Sequence, residues 1–261
     1  MNSLTKYRWT LAVFAIAAGG FWLGRSSNAT SSRALPAVAA PSIAAPSIAV
    51  PGARPTLTTV GDWQRFALLL VDIQNEFLTP ELRAEHENYS ENVTGLLNFC
   101  REQGIEVVHL RTEFSSFDEL PASYKIIFRD RLPCLRGSEG VLPAAFAREA
   151  PDERVFYKTT FDGFSADALT THLSNGDKRH LLIAGLTTDL CVFATALGAL
   201  DKGYTVSIVE DCCLAYSAPA HAFIVGRYGG FLFDTVPHDG LQRNQHKWLK
   251  QLQDIDRGPG Y

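Results

Sequence analysis

Ala67-Leu68-Leu69-Leu70-Val71-Asp72 is the stretch that decides the fold. An unbroken apolar run closes on a carboxylate. A strand with one wet face would alternate apolar and polar residues, so this run fits a strand covered on both faces, as in a parallel sheet between helices. A helical pattern follows. Ser90 can cap it, Val93, Leu96, Leu97 and Cys100 share one face, and Gly104 can end it. Ile105–Leu110 and Val155–Tyr157 read as the next strands. Ser165 can cap a helix carrying Ala168, Leu169 and His172. Leu181–Ala184 is a fourth strand, followed by a helix over Leu190–Lys202 that Gly203 stops. Thr205–Val209 is a fifth strand. Ser217 with Pro219 opens another helix. Phe231–Val236 reads as a sixth strand, and Gln242–Gln253 as a terminal helix. Such alternation implies parallel pairing through right-handed crossovers. The expected architecture is therefore a doubly wound, Rossmann-like α/β fold, with a mostly parallel six-stranded sheet in a three-layer α/β/α arrangement. Ligands of such sheets bind beyond the C-terminal strand ends.

Outside this body the sequence changes character. Lys6 and Arg8 precede an apolar run from Leu11 to Leu23, shorter than the ~20 residues that cross a bilayer comfortably. A positive start, a short apolar stretch and the small residues Ser27-Asn28-Ala29 fit a signal peptide or an N-terminal membrane anchor over residues 1–29. Residues 30–60 are rich in Ala, Pro and Ser and repeat Ala-Pro-Ser-Ile-Ala at Ala40–Ala44 and Ala45–Ala49. Proline at this density favours an extended spacer over a packed element. The expected organisation is signal or anchor, linker, then one catalytic domain over 61–255. The expected location is exported or membrane-anchored, with the N-terminus as a membrane tether.

Composition narrows the function. Apolar residues make up 46% of the chain, enough for a globular core rather than a disordered polymer. The net charge of -4 and the lack of a basic stripe argue against a nucleic-acid partner. Five cysteines, an odd number without any Cys-x-x-Cys pair, describe neither a disulfide framework nor a zinc ribbon. Cys212-Cys213 reads as two packed thiols rather than a vicinal disulfide.

Three polar residues leave strands at the same sheet edge. Asp72 follows the first strand, Lys158 the third, and Cys191 comes six residues after Gly185, where the fourth strand gives way to a helix. Each alone has an ordinary explanation: a loop carboxylate, a solvated lysine, a small buried thiol. Together they make a reactive set. A thiolate attacks carbonyls, and a helix N-terminus and an ammonium both favour that anion. A carboxylate can take the thiol proton and return it to a leaving amine. Backbone N–H groups entering the helix can hold the developing oxyanion.

These segments carry a family resemblance. Ala184-Gly185-Leu186-Thr187-Thr188-Asp189-Leu190-Cys191-Val192 with Ala194-Thr195-Ala196, Leu69 to Phe77, Tyr157 to Phe164 and Pro133 to Gly140 occur in family order. The chain resembles the isochorismatase-like cysteine hydrolases, a superfamily that includes nicotinamidases, N-carbamoylsarcosine amidase and ureidoacrylate-type amidohydrolases. The resemblance runs from about Phe66 to Val236. It implies that Asp72, Lys158 and Cys191 form a catalytic triad. It also implies a cis peptide between Leu186 and Thr187, and an oxyanion hole made by the N–H groups of Thr187 and Cys191. Gln74, Phe77, Phe161 and Phe164 flank these segments as candidate substrate-pocket residues, although aromatics serve cores equally well. The implied function is hydrolysis of a small-molecule amide or ureido substrate through a thioester, without a cofactor, by a homo-oligomer.

The departures matter too. Metal-containing nicotinamidases carry an Asp-x-His pair after the second strand, where this chain reads His109-Leu110-Arg111. No catalytic metal is expected, and a metal-type nicotinamidase ranks below other amidases. Isochorismatases proper lack the nucleophilic cysteine, so Cys191 argues against vinyl-ether cleavage. Glu76 stands where an Asp is common. Arg111 and Arg136 read as structural in preference to carboxylate-binding. A tethered, catalytically silent binding domain is the alternative from a different class. The intact set of three residues argues against it.

Overall fold

The computed structural model describes residues 63–129 and 131–258. The expected signal or anchor over 1–29 and the linker over 30–60 both lie outside the described residues. Among those described, no helix is long and apolar enough to cross a membrane.

Six parallel strands form one sheet: β1 (Phe66–Val71), β2 (Glu106–Thr112), β3 (Arg154–Lys158), β4 (His180–Leu186), β5 (Thr205–Leu214) and β6 (Asp234–Val236), in the order β3-β2-β1-β4-β5-β6. Helices α1 (Pro80–Glu85), α2 (Tyr89–Gln103), α3 (Ala122–Ile127), α4 (Asp167–Asn175), α5 (Phe193–Asp201), α6 (Ala218–Tyr228) and α7 (Leu241–Arg257) connect or follow them. This is the doubly wound three-layer arrangement expected from the alternating pattern. Both central strands, β1 and β4, are buried along their whole length, which is why their sequences are apolar throughout. The winding reverses between β1 and β4, the position where such sheets open a crevice.

Several boundaries differ from the sequence reading for local reasons. Helix α2 starts at Tyr89 with Asn88 as its cap residue, and Ser90 lies inside the first turn. Ser165 does not cap α4. It closes a 3-10 turn over Gly163–Ser165, where the Asp162 carboxylate accepts from Phe164 N at 2.8 Å and takes the capping role one turn earlier. Strand β6 covers only Asp234–Val236 because the chain is still turning at Phe231 and Leu232, whose N–H groups donate to Tyr228 O. Strand β2 runs on to Thr112, held there by side chains from the β1 loop.

One glycine sets how closely the central strands meet. Gly185 has φ +133° and pairs with Val71; a Cβ there would strike the Val71 carbonyl. Only glycine lets β4 close on β1 directly below Asp72. At the opposite end of the sheet, Trp248 of α7 stacks on His180 at 4.8 Å and touches Phe66 at 6.1 Å. Burial pushes His180 down to about 3, and its two nitrogens meet the Thr205 and Ser207 hydroxyls, so it is a neutral core residue.

Candidate active site

The last residue of β1 hands the chain to Asp72, which adopts φ +51°. Asp tolerates this left-handed conformation better than most L-residues. The turn tips the carboxylate out of the strand yet leaves it wholly buried. Two hydrogen bonds fix Oδ1, from Thr112 N at 2.9 Å and from Thr112 Oγ1 at 3.0 Å. Oδ2 lies 2.7 Å from Lys158 Nζ and otherwise carries no hydrogen bond among the described residues. Lys158 ends β3, two strands from β1, and reaches over β2. It pairs in register with Thr112, and its ammonium also donates to Thr112 Oγ1 at 3.1 Å and to Thr160 O at 3.0 Å. Burial is the largest single influence and disfavours that ammonium, but Asp72 and Cys191 together outweigh it, and Lys158 is held above the ordinary lysine range.

Cys191 sits in a π-helical turn, Thr188–Val192, that precedes α5. The expectation of a regular helix from Leu190 is corrected here: the α-helix begins at Phe193. The wider turn follows from the backbone, since Leu190 N and Val192 N both donate to Thr187 O at 3.1 Å. Single π turns of this kind occur frequently at functional sites. Cys191 is 8% exposed, and Lys158 and Asp72 are near enough to act on its thiol electrostatically. Burial pushes it up to about 12. Lys158 pulls it down, and the Asp72 charge raises it again. The resting site is thus a neutral thiol beside a carboxylate–ammonium pair. The peptide between Leu186 and Thr187 is cis.

Other expected residues fall in different places. Gln74 is fully buried; its amide bridges Thr112 O and N to Val141 O at 2.8–2.9 Å. Phe164 is 5% exposed and packs on Tyr204. Phe161 packs against the apolar cluster of Phe114, Leu120, Phe128 and Leu132. Phe77 is half-buried, and its carbonyl accepts from Tyr216 Oη at 2.9 Å. Arg111 pairs with Glu149, and Arg136 with Glu113 at 2.7 Å. His109 bonds Glu153 at 2.8 Å. Cys212 and Cys213 are free, buried thiols. Among the described residues, Asp211, Cys212 and His238 bring potential metal ligands within 4.8 Å of one another. Asp211 already holds His238 through its ring at 2.6 Å and its backbone N–H at 2.8 Å, an arrangement that ties β5 to the turn before α7.

Three site residues carry no sequence signal. Thr112 is the shared partner of both charges. His221 of α6 bonds Thr188 Oγ1 at 2.8 Å, steadying the turn that carries Cys191, and burial holds its imidazole below the ordinary range. Tyr216, after β5, donates its hydroxyl to Phe77 O. Burial raises its phenol, with Cys191, Glu76, Cys134 and Asp189 near enough to add to the effect. An isolated Thr, His or Tyr at a loop looks like any other until the fold supplies its partner. Thr112→Val keeps the side-chain shape and removes the shared hydroxyl. It is expected to lower kcat on the order of 10- to 100-fold and to cost about 1–3 kcal/mol of stability. Steady-state kinetics beside denaturant melts read both.

Comparison with known proteins places this geometry. The isochorismatase domain model matches residues 66–230, from the start of β1 to just beyond α6. The chain belongs to the isochorismatase family. A streptothricin hydrolase of Streptomyces noursei is 33% identical over 172 residues, 66% of this chain and 54% of that protein. The chain thus spans about half the length of that curated relative. The nicotinamidase of Escherichia coli (strain K12) is 28% identical over 195 residues, 60% of this chain and 89% of that protein. In fold, the chain is similar to an isochorismatase family protein from Desulfovibrio vulgaris, with TM-score 0.63 and 24% identity over 70% of this chain and 98% of that one. The α/β/α sandwich is shared across the isochorismatase family, and the segments carrying Asp72, Lys158 and Cys191 all lie inside the matched region.

Proposed function

We propose that this isochorismatase family member is a cysteine-dependent amidohydrolase, with Cys191 as nucleophile, Asp72 as general base and acid, and Lys158 as electrostatic partner. The observation that carries the reading is the state of Asp72. Its Oδ1 is tied by two donors, while Oδ2 faces the ammonium and otherwise carries no hydrogen bond among the described residues. A carboxylate so held can accept one proton without rearranging.

In the proposed sequence Oδ2 takes the Cys191 proton as sulfur bonds to the substrate carbonyl carbon. The oxyanion is held by the N–H groups of Thr187 and Cys191. Collapse breaks the C–N bond, and Asp72 returns the proton to the departing nitrogen. Water, deprotonated by Asp72, then cleaves the thioester and restores the thiol. Lys158 offsets the charge on Asp72 between these transfers and on sulfur as it develops. The thiol need not be ionised at rest if Asp72 accepts its proton as the bond to carbon forms. The names of the two relatives, a nicotinamidase and a streptothricin hydrolase, support an amide or related C–N substrate for this chain as well.

Thioester formation tests the reading. Purified protein incubated with a panel of nicotinamide, ureido acids, biuret and maleamate, quenched in acid and digested, is expected to show an acyl adduct on the Cys191 peptide. Hydroxylamine should release that adduct as a hydroxamate. Turnover of a panel amide with no adduct on Cys191, and with full activity in Cys191→Ala, would refute the assignment.

A further inference from the structure

Strand β5 breaks step with β4 at one place. Ile183 pairs with Ile208, yet Gly185, two residues on, pairs with Cys213, five residues on. Residues 209–212 of β5 therefore stand opposite Ala184 alone, which makes a bulge. On a regular strand neighbouring side chains point to opposite faces. The bulge suspends that rule, and Asp211 and Cys212, adjacent in sequence, bring their donor atoms to one place.

His238 completes the set. It opens the 3-10 turn His238–Gly240 before α7, and one donor atom each from Asp211, Cys212 and His238 lies within 4.8 Å of the others. The Asp211 carboxylate orients the ring. Its Oδ2 lies 2.6 Å from His238 Nδ1, and its Oδ1 accepts from His238 N at 2.8 Å. Helix α2 closes another side. Asn92 Nδ2 donates to Asp211 O at 3.0 Å, and a Cβ on Gly95 would sit 3.1 Å from His238 Cδ2 and Nε2. Nε2 is thus turned to the helix and Nδ1 to the carboxylate. Cys212 is wholly buried, whereas the Asp211 and His238 side chains are 26% and 27% exposed, so the cluster is reached from solvent on their side.

We infer that Asp211, Cys212 and His238 form a binding site for a divalent transition-metal ion of the zinc type. The donor set selects the ion. A thiolate, an imidazole and a single carboxylate suit zinc or cobalt, whereas calcium and magnesium take oxygen donors. Around a tetrahedral zinc such donors stand about 3.3–3.7 Å apart, so side-chain shifts of about an ångström close the set. The ion enters between Oδ2 and Nδ1 in place of their hydrogen bond. Cys212 gives up its thiol proton, and the neutral imidazole carries its own on Nε2, so one proton leaves per ion. Carboxylate and thiolate then cancel the two positive charges, as an ion against a wholly buried sulfur requires. Tyr89 of α2 is 4% exposed and its hydroxyl has no hydrogen-bond partner among the described residues, with Cys213 and Cys212 near enough to act on it electrostatically. An unsatisfied buried hydroxyl calls for an explanation, and a water in the ion's fourth position beside Cys212 provides one. The ion would staple β5 to the turn before α7. Asp72, Lys158 and Cys191 are not part of the site, so it stands apart from the amidohydrolase reading.

The test uses the full chain, stripped with a chelator, dialysed and titrated with zinc chloride or cobalt chloride. The expected results are one equivalent of zinc retained after desalting, measured by elemental mass spectrometry, a higher melting temperature with zinc, and a thiolate-to-cobalt charge-transfer band in the near ultraviolet. Cys212→Ser and His238→Asn should each weaken zinc binding at least about tenfold, and Cys212→Ser should remove the cobalt band. Asparagine at 238 keeps an amide to bond Asp211, and melts of the metal-free variants check folding. Cys191→Ala should bind zinc as the wild type does and keep the band. A wild type that retains no zinc, or a cobalt complex without the band, overturns the inference. So does zinc affinity unmoved in both variants, or binding lost in Cys191→Ala, which would place the ion at the other thiol.

Discussion

Cys191→Ala is expected to abolish amide turnover, lowering kcat on the order of 10⁴-fold or more while leaving the fold intact. The size of the loss follows from the role proposed for sulfur: without it the proposed thioester cannot form, and only oxyanion donors and substrate binding would remain to assist water. The fold survives because the side chain is small and its thiol contributes little packing that alanine cannot replace. Cys191→Ser distinguishes loss of nucleophilicity from loss of shape, since an oxygen of similar size would remain beside Asp72. It should be almost as inactive. The same residue predicts an alkaline weakness. The folded thiol, held at about 12 against an ordinary value of 9.0, keeps its proton where the unfolded chain releases it. Stability is therefore unaffected below pH 9 and falls as pH rises from 9 toward 12. Lys158, also raised, loses its stabilising contribution only as pH climbs past its ordinary 10.5. Denaturant melts from pH 7 to 11 should show a decline that begins near pH 9 in the wild type and is shallower in Cys191→Ala.

Breaking the Asp72–Lys158 pair should be costly to both activity and stability. Asp72 is fully buried and Lys158 is 3% exposed, with 2.7 Å between their charges. Lys158→Met leaves a carboxylate buried without its counter-ion, and such a loss costs about 3–5 kcal/mol. Asp72→Asn strands the ammonium in the same way, eased by Thr112 Oγ1 and Thr160 O, which still accept from it. The double variant removes both charges together. It should recover part of the stability lost in either single variant, because the desolvation penalty disappears with the pair. Activity should not recover. With neither proton acceptor nor ammonium, kcat is expected to stay on the order of 10³-fold or more below wild type in the singles and the double alike. If the double variant regained turnover, the pair would be structural only. A set of four urea melts with kcat for each protein decides it.

The isolated apolar runs at Leu68–Val71 and Leu181–Ala184, and the strand–helix alternation around them, determined a parallel sheet and therefore which edge would carry chemistry. Asp72, Lys158 and Cys191 were legible for the same reason. Asp72 follows and Lys158 ends an apolar strand segment, where a polar residue has nowhere to go but the open end of the sheet, and Cys191 lies in the turn just beyond β4. Element ends were less legible. Asp162 took a cap that Ser165 could have made, and a turn at Phe231 shortened β6, because nearby groups compete for the same backbone donors.

What tertiary structure alone decided is which distant residues meet. Thr112 becomes the hinge of the ion pair because β2 lies between β1 and β3. Gln74 is drawn inward to tie Thr112 to Val141, and Tyr216 joins the end of β5 to the loop after β1 through Phe77. Strand identity is written in short-range patterns of burial, which a single sequence displays. Hydrogen-bond partnership between side chains tens of residues apart depends on strand order and register, and those exist only once the chain has folded.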